Sequence, residues 1–189
     1  MAMPAAVDRY WTAEDVRALP DDNNRYECID GELLVTPAPR VLHQTALRDM
    51  YEAIRSFVFA EHLGELLWSP ADIELEPAAL VQPDLFVARH KEAGRRFRSW
   101  TDIAGLRLAV EVLSPSTARY DRVVKRAFYL RAGVEEYWIV DLDARLVERW
   151  RPGDQRPEVL TERIVWQPAG ASVALDVDLK AYFGVLLDD

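Results

Sequence analysis

Val81-Gln82-Pro83-Asp84-Leu85-Phe86-Val87-Ala88, then Leu108-Ala109-Val110-Glu111-Val112-Leu113-Ser114, then Asp121 to Tyr129 with Lys125 inside it, are the stretches that decide the fold of this chain. The first two are short apolar runs rich in Val and Leu and bounded by Pro, Gly or Ser, a pattern that predicts buried strands. Each carries one carboxylate. Glu111 is flanked by Ala109-Val110 and Val112-Leu113, and an ionised side chain in such a setting costs several kcal/mol unless it has a partner. Period-two alternation puts Ala109, Glu111 and Leu113 on one face and Leu108, Val110 and Val112 on the other; Asp84 likewise shares a face with Phe86 and Ala88. A divalent cation or a lysine would satisfy the acid. Asp84 taken alone also reads as a cap on the turn after Pro83.

After Leu113, Ser114-Pro115-Ser116-Thr117 opens a predicted helix that Gly133 closes. Asp121, Lys125 and Tyr129 are four apart and line one face of it. Packed back along the sheet, that helix brings Lys125 within reach of Glu111, although a surface ion pair with Asp121 is the plainer reading of the lysine. Arg122 and Arg126 are assigned to solvent or phosphate. Tyr129 is either a packed aromatic or a hydroxyl donor to the site. Glu136 to Asp141 is the next strand, expected to pair in parallel through the crossover.

Working outward, Thr12 to Leu19 has a capping residue, acids in the first turn and Pro20 beyond, which predicts a short helix. Arg25 to Ile29 and Glu32 to Thr36 flank Asp30-Gly31, a type I′ hairpin signal. Glu27, in the first arm, is either a half-exposed strand acid or an extra acid of the site. Val41 to about Ala60 is the longest helical pattern, with Leu47, Met50, Tyr51, Ile54 and Val58 as its buried stripe. His43 falls on the same stripe, as a hydrogen-bonded histidine at a helix start or as a site residue. Glu65 to Trp68 and Ala71 to Leu75 read as a kinked strand or a second hairpin. His90 to Trp100 is a dense basic cluster in which Arg95, Arg96 and Arg98 alternate with aromatics, either a solvated loop or a contact for a nucleic-acid backbone. Leu146 to Trp150 and Glu158 to Val165 are expected edge strands, Trp138, Trp150 and Trp166 core or interface aromatics, and Leu179 to Leu187 an amphipathic segment that docks on the body or on a second subunit.

Two carboxylates on neighbouring strands are what a hard, oxygen-seeking ion such as Mg²⁺ requires. Pro83-Asp84, Glu111 and a lysine resemble the PD-(D/E)xK nuclease superfamily. The longer string Glu111-Val112-Leu113-Ser114-Pro115-Ser116, Asp121, Lys125, Tyr129 and Gly133-Val134-Glu135-Glu136-Tyr137-Trp138 resembles its putative restriction-endonuclease branch. The likeness spans roughly residues 20 to 142, and the string from Glu111 to Trp138 is far more specific than the bare motif. One position departs: the superfamily's lysine lies two residues after the glutamate, where this chain has Leu113. In the branch it resembles, the following helix supplies the lysine, which makes Lys125 the replacement.

The resemblance implies an α/β (α+β) fold with a restriction-endonuclease-like core over about residues 41–142. A central mixed β-sheet would be flanked by helices, with an N-terminal hairpin and C-terminal extra strands in one domain over 1–189. It implies a DNA endonuclease using Mg²⁺ or Mn²⁺ held by Asp84, Glu111 and the Val112 carbonyl, assisted by Lys125, with His43 beside the phosphate. It also implies 5′-phosphate products and a homodimer. Arg95, Arg96, Arg98 and Arg122 are the candidate substrate contacts. A nuclease-fold module that binds DNA or protein without cutting, and a phosphohydrolase for small nucleotides, are the alternatives.

Length and composition set bounds. The 189 residues, 50% hydrophobic and 29% charged, suit one well-buried domain. A single cysteine, Cys28, rules out an intramolecular disulfide and fits a reducing interior. The first residues lack a basic region followed by an apolar core, and no run of about eighteen apolar residues occurs, so the expectation is a cytoplasmic protein with no membrane span. A net charge of −9 argues against indiscriminate nucleic-acid binding but leaves room for a local basic groove.

Overall fold

The computed structural model describes residues 9–77, 79–92 and 97–187. After a short helix, α1 (Ala13–Arg17), the chain forms the hairpin β1 (Arg25–Ile29) and β2 (Glu32–Thr36). Asp30 and Gly31 both take positive φ, 52° and 84°, as the type I′ turn demands. Helix α2 (Val41–Ala60) leads to β3 (Glu65–Trp68), and β4 (Leu85–His90) pairs antiparallel with it. Then come β5 (Ile103–Val112) and a helical stretch made of α3 (Ala118–Tyr120), a π turn (Asp121–Lys125) and α4 (Arg126–Arg131). β6 (Glu136–Asp141), β7 (Leu146–Trp150) and β8 (Glu158–Leu160) complete a six-stranded sheet of order β3-β4-β5-β6-β7-β8. β5 and β6, joined by the helical crossover, are parallel, and their neighbours are antiparallel, so the sheet is mixed as expected.

Both faces of the sheet are covered, which is why its central strands read as apolar runs rather than alternating ones. On one face Ala46, Leu47, Met50, Ile54 and Val58 of α2 pack on Leu85, Val87, Leu108, Val110 and Trp138. A separate ribbon, β9 (Arg163–Trp166) with β10 (Leu175–Asp178), and helix α5 (Leu179–Leu187) extend this core. α5 docks on the body, where the Tyr182 hydroxyl donates to the Ala46 carbonyl at 2.9 Å. On the other face Phe128 and Tyr129 pack with Phe86, Ala88, Ala109, Tyr137 and Ile139. Trp138, Trp150 and Trp166 are all buried.

Several boundaries move. Ala71–Leu75 forms no strand; Ile73 alone bridges Val81. The strand expected from Val81 begins only at Leu85, because Pro83 has no N–H to give a ladder. β5 starts five residues earlier than its apolar run, at Ile103, and the helix expected from Ser114 starts at Ala118. Among the described residues no helix is long and apolar enough to cross a membrane.

Candidate active site

The site lies where β4 begins and β5 ends. Leu85 pairs with Val110 in the antiparallel register, so Asp84 stands opposite Glu111 one step further on, and directly opposed residues share a face. Both carboxylates line a cleft of about 950 Å³, together with Arg25, His43, Val112, Asp121 and Arg122. Asp84 and Glu111 are each only 1% exposed.

The hairpin reaches this point because Cys28 and Leu80 exchange backbone hydrogen bonds of 2.9 Å, tying β1 to the segment that leads into β4. Arg25 and Glu27, two apart on that strand, therefore project over the acids. Arg25 Nη1 donates to Asp84 Oδ1 at 2.7 Å. On Oδ2 the same carboxylate accepts from the Val112 amide at 2.9 Å and meets His43 Nε2 at 3.0 Å, His43 being presented by the first turn of α2.

Glu111, on the same face, is held by side chains of the helical layer. Its Oε1 accepts from Lys125 Nζ at 2.9 Å and from the Tyr129 hydroxyl at 3.1 Å. Lys125 Nζ is also 2.9 Å from Glu27 Oε2, an ion pair by distance whose angle falls short of a hydrogen bond, and 3.8 Å from Asp121 Oδ1. Glu27 is fully buried, and its Oε1 accepts from the Gln82 amide at 2.7 Å. The half-exposed strand acid and the surface Asp121–Lys125 pair are thus both excluded: these groups form one buried network. The π turn lies at this point in the helix, and it buries both Asp121 and Lys125.

The electrostatics split the two principal acids. Burial works upward on Asp84, but the His43 contact and the Arg25 charge outweigh it and hold the carboxyl well below its usual range. Burial pushes Glu111 well above its usual range; Lys125 opposes this, while Asp84, Asp121 and Glu27 add to it. Asp121 rises for the same reason, burial first. Burial works downward on Lys125, yet Glu111, Glu27 and Asp121 overcome it and keep the ammonium charged. Four carboxyls, Glu27, Asp84, Glu111 and Asp121, face two permanent cations, Arg25 and Lys125. Fully ionised, that set would carry two uncompensated negative charges.

This donor chemistry fits a hard divalent ion. Among the described residues no group of three or more His, Cys, Asp or Glu side chains is set to hold a metal. Mg²⁺ would need only one or two carboxylates, with water in its remaining positions.

Other expected residues are placed differently. Arg122 lines the cleft, but its guanidinium is engaged by Asp141 at 2.7 Å and Glu148 at 2.6 Å. Arg98 does not line the cleft, and its backbone amide donates to Asp102 Oδ2 at 2.9 Å. Arg95 and Arg96 lie outside the described residues. Lys125 sits behind Glu111, 1% exposed and not among the groups lining the cleft. Arg25 and Gln82 escaped the sequence reading. The available signal was that Arg25 precedes Glu27 by two residues and so shares its strand face; Gln82 contributes a backbone amide, which no residue type announces.

Comparisons with known proteins bear on the family and the fold. A family model described as "Uma2: Putative restriction endonuclease" matches residues 13–179, taking in the C-terminal ribbon as well as the sheet. A solved structure from Anabaena variabilis, a putative nuclease belonging to DUF820, superposes with a TM-score of 0.71 at 24% identity, covering 93% of this chain and 99% of that one. It establishes the fold. No curated protein matches. The chain belongs to the Uma2 family of putative restriction endonucleases.

Proposed function

We propose that the chain is a phosphodiesterase dependent on Mg²⁺ or Mn²⁺, acting on DNA as an endonuclease. The observation that carries this reading is the pairing of Asp84 with Glu111, opposed on neighbouring strands at the floor of one cleft. Asp84, Glu111 and the Val112 carbonyl would hold the ion. When bound, it supplies a Lewis acid that lowers the pKa of a coordinated water and neutralises charge on the phosphate. Lys125 fixes the position and charge of Glu111 from behind, with Glu27 and Tyr129 holding the lysine and the glutamate in register. His43, bonded to Asp84 and lining the cleft, is placed to orient that carboxylate or to meet a phosphate oxygen. Family membership further supports assembly as a homodimer, which light scattering measures.

Incubation of supercoiled plasmid with the protein and Mg²⁺ or Mn²⁺ tests the chemistry. Nicking and linearisation are expected for the wild type and not for Asp84→Ala or Glu111→Ala. Equal cleavage by either variant would mean that the acids are not the metal site.

Two observations favour the alternative of a module that binds without cutting. Arg25, His43 and Lys125 already occupy the carboxylates, and Leu113 stands two residues after Glu111 where the superfamily has its lysine. Calorimetric titration separates the readings: absence of heat with millimolar Mn²⁺ or Mg²⁺ selects the inert module.

A further inference from the structure

Asp84 uses its two oxygens unequally. Oδ2 is shared by the Val112 amide and His43, whereas Oδ1 receives a single side chain, Arg25, at 2.7 Å. A carboxylate offers roughly four lone-pair positions, so Oδ1 is the oxygen with room for an ion. The guanidinium already there is a permanent cation, and a divalent ion on the same oxygen would face it across one atom, where like charges repel steeply.

We infer that Arg25 is a built-in competitor for the divalent ion, which leaves Asp84 when the ion binds and turns to a phosphate of the substrate in the cleft. This rests on the metal-dependent reading above. The present pose satisfies Arg25 incompletely: Nε is buried with no hydrogen-bond partner, 3.9 Å from Glu27 Oε2, and Nη1 reaches Ser69 Oγ only at 3.4 Å. Its surroundings permit movement. The Arg25 side chain is 21% exposed and lines the cleft, while Lys125, the other cation of the network, is 1% exposed and walled off behind Glu111. The backbone beneath Arg25 is pinned by pairing with Thr36, which confines the motion to the side chain. The planar guanidinium fork matches two phosphate oxygens, so a displaced Arg25 has a second partner of the same chemistry as the first.

Calorimetric titration with MnCl2, without nucleic acid, compares the wild type with Arg25→Met and Arg25→Lys, and circular dichroism verifies that each is folded. Arg25→Met is expected to bind Mn²⁺ about tenfold more tightly, a coupling of ordinary size between two ligands of one group. With Ca²⁺ in place of Mn²⁺ to prevent cleavage, fluorescence anisotropy of a 5′-phosphorylated oligonucleotide should show affinity about tenfold weaker for Arg25→Met. Unchanged or weaker Mn²⁺ binding by Arg25→Met would overturn the competitor role, and unchanged oligonucleotide affinity would overturn the phosphate role. Arg25→Lys keeps the cation and is expected to bind Mn²⁺ as the wild type does; if Arg25→Met does not fold, the uncharged Arg25→Gln carries the test, where tighter Mn²⁺ binding supports the inference and equal binding overturns it. Failure of the wild type and the variants to take up Mn²⁺ removes the metal-dependent reading itself. Uptake by the wild type with no change in the uncharged variants removes only the role of Arg25.

Discussion

Replacing Lys125 with methionine is the sharpest probe of the buried network. The change keeps side-chain length and removes the ammonium, leaving Glu111 and Glu27, each 2.9 Å from Nζ, and Asp121, at 3.8 Å, without their common counter-charge. At an effective dielectric of about 20, one pair near 4 Å is worth about 4 kcal/mol, so the three contacts sum to the order of 10 kcal/mol before desolvation is subtracted. Two effects reduce that figure. The lysine no longer pays to be buried, and Glu111, whose pKa is already raised by burial, takes up a proton. The expected net loss is about 3–5 kcal/mol, the usual consequence of breaking a buried ion pair. Urea unfolding at neutral pH in the presence of a chelator measures it, followed by fluorescence of the buried Trp138 and Trp166. Added Mn²⁺ should restore part of the loss, about 2.7 kcal/mol at a concentration one hundred times Kd, because the ion replaces the missing charge. A loss below about 1 kcal/mol would show that the acids are already neutral in the wild type and that the lysine does not hold them ionised.

The metal-free protein should lose stability as pH rises above the ordinary glutamate value of 4.5, because the raised Glu111 and Asp121 make the native state bind more protons than the unfolded chain. Asp84, being depressed, has the opposite sign: its contribution is present above 3.8 and is lost as pH falls below that value. Glu111→Gln should flatten the upper slope and leave the acid limb; a wild-type profile flat from pH 5 to 8 by urea unfolding would contradict the assignment. Tyr129→Phe removes the 3.1 Å bond to Glu111 and should lower stability by about 1–3 kcal/mol without changing the secondary structure seen by circular dichroism. Gly64 has φ +132°, and an added Cβ would fall 2.1 Å from the Ala88 carbonyl, so Gly64→Ala should cost about 2 kcal/mol or more in the same unfolding assay.

The sheet was largely legible because burial on both faces leaves a periodic mark. The apolar runs around Leu85 and Val110 announced strands, Asp30-Gly31 announced its hairpin, and α2 and α5 begin and end where their patterns do. Strand ends were less legible. Ile103 to Arg107 joins β5 through backbone pairing with β4, which Gly105 and Arg107 do not advertise, and Ala71–Leu75 looked like a strand but has no strand alongside it to complete a ladder.

At the site, the sequence by itself determined that Glu111 needs a counter-charge, since an acid inside an apolar strand must be paired, and that Lys125 is spaced to provide it. Tertiary structure alone decided that Asp84 opposes Glu111, that Glu27 closes the pocket behind the lysine, and that Arg25 rather than Arg98 or Arg122 is the cation facing the acids. The reason is physical: residue type fixes what a side chain must find, but the partners stand 14 to 98 residues away along the chain, and only the packing of hairpin, sheet and helix brings them within 3 Å.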